Sequence, residues 1–137
     1  MRPEPLEEGR RWLDQAREDL RWADHLAREG GYHIACFLAQ QVAEKAVKGF
    51  LYSRGVDLVM THSVDDLVRM AAEHDEAFKK APQGWGSLDG YYVPTRYPNA
   101  LPGSIPARVF TKEMAAAAVA VAHQVVEFVE ARIKGRG

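Results

Sequence analysis

The sequence predicts an all-α protein, an up-down four-helix bundle with a long Pro/Gly/Tyr-rich loop before its last helix. Three observations predict it. Apolar residues recur at steps of three and four in four separate segments, the signature of amphipathic helices. No stretch alternates with period two, as a half-buried strand would. Finally, the connector 81–109 gathers five of the seven prolines and four of the eleven glycines. At 137 residues the chain fits a single domain, with its core over about 6–133.

In the first segment, Leu6 to Arg28, the apolar stripe is Leu13, Ala16, Leu20, Ala23 and Ala27. Charged residues such as Asp14, Arg17, Glu18 and Arg21 fill the rest of the arc. Gly30-Gly31 stops this helix, because glycine suits the left-handed cap and disfavours helix interiors. The second helix is expected from about Tyr32 to Arg54, ending at Gly55. Its first half, Ile34 to Ala39, is apolar all round and should pack on several sides. In its second half Ala43, Ala46, Val47, Phe50 and Leu51 continue the buried face, while Gln41, Glu44, Lys48 and Tyr52 line another. A third helix is expected near Ser63 to Lys80, with Ser63 as N-cap and Asp65-Asp66 at the positive end of its dipole. Short links between these three helices suggest antiparallel neighbours. The connector 81–109 reads as a loop with a helical turn at Ser87 to Tyr92, and loops of that length in compact domains carry function or move. The last helix begins at Thr111, an N-cap, and runs to about Ile133; its opening, Ala115–Ala118, allows close approach of a neighbour.

Composition narrows the function classes. Eighteen basic and nineteen acidic side chains give a formal charge of -1, so a nucleic-acid role requires a local basic patch rather than a general positive field. Cys36 is the single cysteine, which leaves no intrachain disulfide and no cysteine-rich zinc cage. The five histidines, His25, His33, His62, His74 and His123, show no pair at ligand spacing, so no metal is expected. No glycine-rich phosphate loop and no Ser/His/Asp or Cys/His signature occurs, and no cofactor is implied. The opening MRPEPLEEGRRW lacks the apolar core of a signal peptide, and the apolar stretch 115–129 is short for a membrane span and broken by His123, Gln124 and Glu127. The expectation is a cytoplasmic protein with no membrane association.

Three polar groups are candidates for chemistry. The first is Gln40-Gln41-Val42-Ala43-Glu44-Lys45-Ala46-Val47-Lys48. Glu44 and Lys48, four apart in the favourable order, would stabilise an exposed helix face. On a central helix they would instead need partners from other helices, either as a structural network or as a patch facing a ligand. The second is His62, just before the third helix. It reads as a residue bonded to backbone at the turn, since a catalytic role would need a partner that the nearby sequence does not identify. The third is Tyr91-Tyr92-Val93-Pro94-Thr95-Arg96-Tyr97-Pro98. Arg96 offers a planar fork to phosphate or carboxylate, and tyrosine rings can stack on bases. Alternatively the tyrosines pin the loop to the helices while Arg96 caps a helix or pairs with an acid.

Taken together these residues resemble the HEPN family, the nucleotide-binding domain of higher eukaryotes and prokaryotes. The resemblance runs from about Ala16 to Ile133. It rests on Ala16-x-x-Asp19-Leu20-x-x-Ala23, on Phe37 to Lys48, on Thr61-His62-Ser63-Val64-x-x-Leu67, and on Arg96-Tyr97-Pro98 before the alanine-rich helix. It implies a bundle of four or five helices, frequent dimerisation, and frequent pairing with a small nucleotidyltransferase in toxin–antitoxin style. Many members are metal-independent ribonucleases that use an arginine and a histidine four to six residues apart. This chain departs there: Tyr97-Pro98-Asn99-Ala100-Leu101-Pro102-Gly103 follow Arg96, with no histidine. Arg28 with His33 and Arg69 with His74 have the literal spacing, but neither pair lies where the family keeps its motif.

The resemblance therefore implies a non-catalytic module that binds a nucleotide or RNA phosphate and a nucleotidyltransferase partner, as a homodimer. Arg96, Tyr97 and Lys45 or Lys48 are its ligand-binding candidates; Asp19, Gln41, Glu44 and His62 would organise the site. The alternatives are a metal-independent ribonuclease toxin with a non-standard site and a purely structural adaptor.

Overall fold

The computed structural model describes residues 4–134, which are helical with no strand among them. The order is α1 (Pro5–Glu29), α2 (Tyr32–Ser53), α3 (Val64–Ala72), α4 (Pro106–Val109) and α5 (Lys112–Lys134). Between α3 and α4 lie 3-10 segments at Glu76–Lys80, Gln83–Tyr91 and Pro98–Ala100.

The helix ends follow local chemistry. Proline in the first turn of α1 has no N–H to lose there, and Gly30 closes the helix at φ 97°, a conformation that disfavours a side chain. Gly55 (φ 86°) plays the same part beyond α2. Ser63 Oγ accepts from the Asp66 N–H at 3.1 Å, and Thr111 Oγ1 accepts from the Met114 N–H at 3.2 Å, so both expected N-caps are in place.

The three long helices share one core. Leu13, Ala16, Leu20 and Ala23 of α1 meet Ala39, Ala43, Ala46 and Phe50 of α2, and α5 adds Ala115, Ala122, Val125 and Val129. Each large apolar side chain buried this way contributes roughly 1.5–3 kcal/mol. Where α1 crosses α2, glycine meets glycine. A Cβ added at Gly9 would lie 2.5 Å from the Gly49 carbonyl oxygen, and one added at Gly49 would lie 2.8 Å from the Gly9 oxygen. The Arg17–Glu130 ion pair and a hydrogen bond between His123 Nε2 and the Asp24 carboxylate tie α1 to α5.

Four expectations need correction. The third helix stops at Ala72 instead of continuing to Lys80. Asp75 interrupts it: its carboxylate accepts from the Ala77 N–H at 2.9 Å and starts a new turn, an alternative that short acidic side chains offer the backbone. His74 therefore lies beyond α3, while Arg69 is held on it by Asp65 and Asp66. The connector 81–109 is far more ordered than a loop, because Trp85 and Leu88 plug into the core, with Phe78 just ahead of it. Phe78 packs on Phe50 and Phe128 at 4.6 and 4.9 Å between ring centres, and Trp85 on Phe128 at 5.3 Å. The all-round burial expected for the first half of α2 belongs to its second half; Ile34 is exposed, and Phe37 and Leu38 are half-buried. Lastly, α5 is long and apolar enough to cross a membrane by length and composition alone, although its valine and alanine stripe faces the core.

Candidate functional site

The polar half of α2 turns inward. Glu44 is 4% exposed and Lys48 5%, and their charges meet at 2.9 Å between Lys48 Nζ and Glu44 Oε2. An isolated buried ion is costly, so this placement demands a full set of partners. They are present. His62 Nδ1 lies 3.0 Å from the same Oε2, and the Gln40 and Gln41 amides each approach Oε1 at 3.4 Å. Gln41 Nε2 also donates to Gln40 Oε1 at 2.8 Å, and Gln40 Nε2 donates to the His62 carbonyl at 2.9 Å. The carboxylate of Glu44 thereby holds the ring of a residue eighteen positions away, while the Gln40 amide holds that residue's backbone carbonyl.

Outward from His62 the site becomes aromatic. Its ring stacks on Tyr92 with centres 5.3 Å apart and planes 16° apart. Tyr92 is also a platform for Arg96, whose guanidinium carbon lies 4.5 Å from the Tyr92 ring centre, 4.7 Å from that of Phe37 and 5.1 Å from that of Tyr97. Arg96 Nε donates to the Tyr92 carbonyl at 2.7 Å, which orients the fork. No carboxylate pairs with Arg96 among the described residues, and Arg96 itself is exposed. Guanidinium planes favour aromatic faces and keep their in-plane donors free for an anion.

The segment carrying Tyr92 and Arg96 is anchored to α3. Asp89 accepts from the Val64 N–H at 2.6 Å, the Asp65 N–H at 3.1 Å and the Ser63 hydroxyl at 2.9 Å. It serves as a second, non-local cap on the α3 dipole. Tyr91 turns the other way, against Phe110, and burial pushes its phenol up, with Cys36 nearby adding to the effect. Burial also pushes the Cys36 thiol up to about 11, which makes it a core residue rather than a nucleophile.

The family model for the HEPN domain matches residues 10–132. The chain belongs to the HEPN domain family. Among solved structures this HEPN domain is similar to TT1696 from Thermus thermophilus, at 38% identity and a TM-score of 0.80, over 91% of this chain and 98% of that one. It is also similar to ST0689, an archaeal HEPN homologue, at 30% identity and a TM-score of 0.69, over 92% of this chain and 98% of that one. No curated protein matches the sequence.

Within the HEPN domain the eight residues expected at the site fall into two groups. Gln41, Glu44, Lys48 and His62 form one network, and the His62–Tyr92 stack joins it to Arg96 and Tyr97. Arg96 meets α2 at Phe37 rather than at the ridge of Glu44 and the lysines, so its link to Glu44 is indirect. Lys48 lies behind Glu44 with its ammonium 5.9 Å from the Trp12 ring centre. Asp19 and Lys45 form their own ion pair, with Gln15 donating to Asp19 at 3.0 Å. Lys45 opens into a separate cleft of about 420 Å³ with Arg11, Trp12 and Gln15. Sequence reading placed Tyr92 in the candidate stretch 91–98 and Phe37 in the HEPN-like stretch without giving either a role at the site, and it did not single out Asp89. The adjacent Tyr91-Tyr92 pair signalled that one ring would face away from the core, without saying which, and Asp89-Gly90 signalled only a turn.

Proposed function

We propose that this HEPN domain, its helices α1, α2, α3 and α5 forming an up-down bundle, is a non-catalytic module that holds a nucleotide or RNA phosphate on Arg96. Tyr97, 51% exposed, supplies a face on which a base stacks. The observation that carries this reading is the guanidinium itself: stacked against three rings, oriented by a backbone carbonyl and lacking an acidic partner among the described residues. Arg11, Arg17, Arg21 and Arg69, by contrast, are each paired with an acid on their own helix. Family resemblance adds the rest: a homodimer, a small nucleotidyltransferase as partner in a toxin–antitoxin pair, and a cytoplasmic setting. Titration with labelled nucleotides and a short oligoribonucleotide tests the ligand. Arg96→Ala is expected to weaken binding by about tenfold or more, the worth of a charge-assisted contact. Equal and negligible affinity in both proteins leaves the structural adaptor as the surviving reading.

The His62–Glu44 pair favours one second reading. A histidine held by a buried carboxylate through Nδ1 is arranged as an acid–base group. On that reading the domain is a metal-independent ribonuclease with a non-standard site. Cleavage of RNA in EDTA by the wild type but not by His62→Gln would support it, and intact RNA in both excludes it.

A further inference from the structure

We infer that His62 is a second contact for the ligand's phosphate chain, engaged only when its imidazole is protonated, so that ligand binding takes up a proton. This deepens the phosphate-binding reading above and rests on it.

The geometry divides the two ring nitrogens. Nδ1 faces Glu44 Oε2 at 3.0 Å, and the hydrogen on that nitrogen is donated to the carboxylate. Nε2, on the opposite side of the ring, has no hydrogen-bond partner among the described residues, and the side chain is 58% exposed. The Glu44 carboxylate fixes the tautomer: in the neutral ring the hydrogen belongs to Nδ1 and Nε2 carries only a lone pair. A lone pair faces a phosphate oxygen unfavourably. Protonation converts Nε2 into a donor and adds a positive charge, which is what a phosphate oxygen requires.

The neighbourhood makes this a two-point site. His62 and Arg96 both pack on the Tyr92 ring, at 5.3 and 4.5 Å from its centre, so both border one platform, and a ligand must carry more than one phosphate to touch them together. The charged groups around His62 are Glu44 and Lys48 on α2, Asp65 and Asp66 in the first turn of α3, and Asp89 and Arg96, with the Tyr92 phenol, from the connector. Glu44 is matched by Lys48, and Asp89 is occupied by the α3 amides and Ser63. Neither is left to compete with a phosphate for Nε2. The ligand class that fits is a single-stranded oligoribonucleotide with at least two phosphodiesters.

A uridine oligonucleotide without terminal phosphates is the right probe, because neither its bases nor its phosphodiesters titrate between pH 5.5 and 8. Wild-type affinity is expected to be about tenfold higher at pH 5.5 than at pH 8, the worth of one charge-assisted contact. His62→Gln should bind equally at both pH values. Arg96→Ala should be weaker at both while keeping the pH dependence. Thermal unfolding of each variant verifies that it is folded, and the wild-type profile stands without them. A flat wild-type profile overturns the inference while leaving the Arg96 reading intact, and so does a pH dependence that survives in His62→Gln. No binding by wild type at either pH overturns both.

Discussion

Glu44 brings a negative charge into a region where it is 4% exposed, and its stability rests on what surrounds it. Lys48, His62, Gln40 and Gln41 all point donors at its two oxygens. Removing the carboxylate strands the Lys48 ammonium, which is itself 5% exposed, and frees the ring of His62. Glu44→Ala is therefore expected to cost about 3–5 kcal/mol, the penalty for breaking a buried pair from one side. Replacing both partners, as in Glu44→Leu with Lys48→Met, should recover most of that loss, because no uncompensated charge remains. Urea unfolding of the three proteins measures both; a loss under about 1 kcal/mol in Glu44→Ala would mean that Lys48 reaches water. The sequence left Glu44 between two readings for a physical reason. Glutamate and lysine four apart stabilise an exposed helix and fill a buried network equally well, and the deciding partner, His62, lies eighteen positions further along. Arg96 among tyrosines and prolines read equally as a fork for an anion and as a helix cap or partner of an acid. Its ring platform was not legible, because Phe37 and Tyr92 carry no local signal of which way their rings face.

At the scale of elements, the starts of the helices were readable and one of their ends was not. Ser63, Thr111 and Gly30 act through bonds to residues within four positions, so the relevant chemistry lies inside any short window of sequence. The end of α3 depends on Asp75 offering its carboxylate to the next turn, and the order of the following connector depends on Phe78, Trp85 and Leu88 reaching a core built by distant helices. The most consequential long-range link is Asp89. It accepts two α3 amides and the Ser63 hydroxyl, and it lies three residues before Tyr92. Asp89→Ala is expected to lower stability by about 1–3 kcal/mol, the range for losing a cap and leaving donors unmatched. It should also speed amide exchange across 83–97 more than in α1 or α2, since that segment loses its tie to α3. Hydrogen exchange read by mass spectrometry checks this. Uniform acceleration through all helices would mean that Asp89 supports the whole fold rather than one segment.

At the scale of the whole molecule, charge is distributed to cancel. The formal total is -1, and three exposed arginines of α1 and α3 are paired along their own helices, Arg11 with Glu8, Arg21 with Glu18 and Arg69 with Asp65 and Asp66. At the Tyr92 platform a polyanion meets the fork of Arg96 and, once protonated, His62. Counterion release then has a small and countable origin. For a single strand the slope of log affinity against log salt is about −0.7 per phosphate neutralised. Oligouridine binding is therefore expected to show a slope of about −0.7 from Arg96 alone, steepening toward about −1.4 as falling pH brings in His62. Titrations between 50 and 300 mM salt at the two pH values measure it. A slope steeper than about −3 at either pH would require several further cations in contact with the strand. The binding surface would then extend well beyond the Tyr92 platform, toward cations such as Arg11 and Lys45 in the cleft beside Trp12.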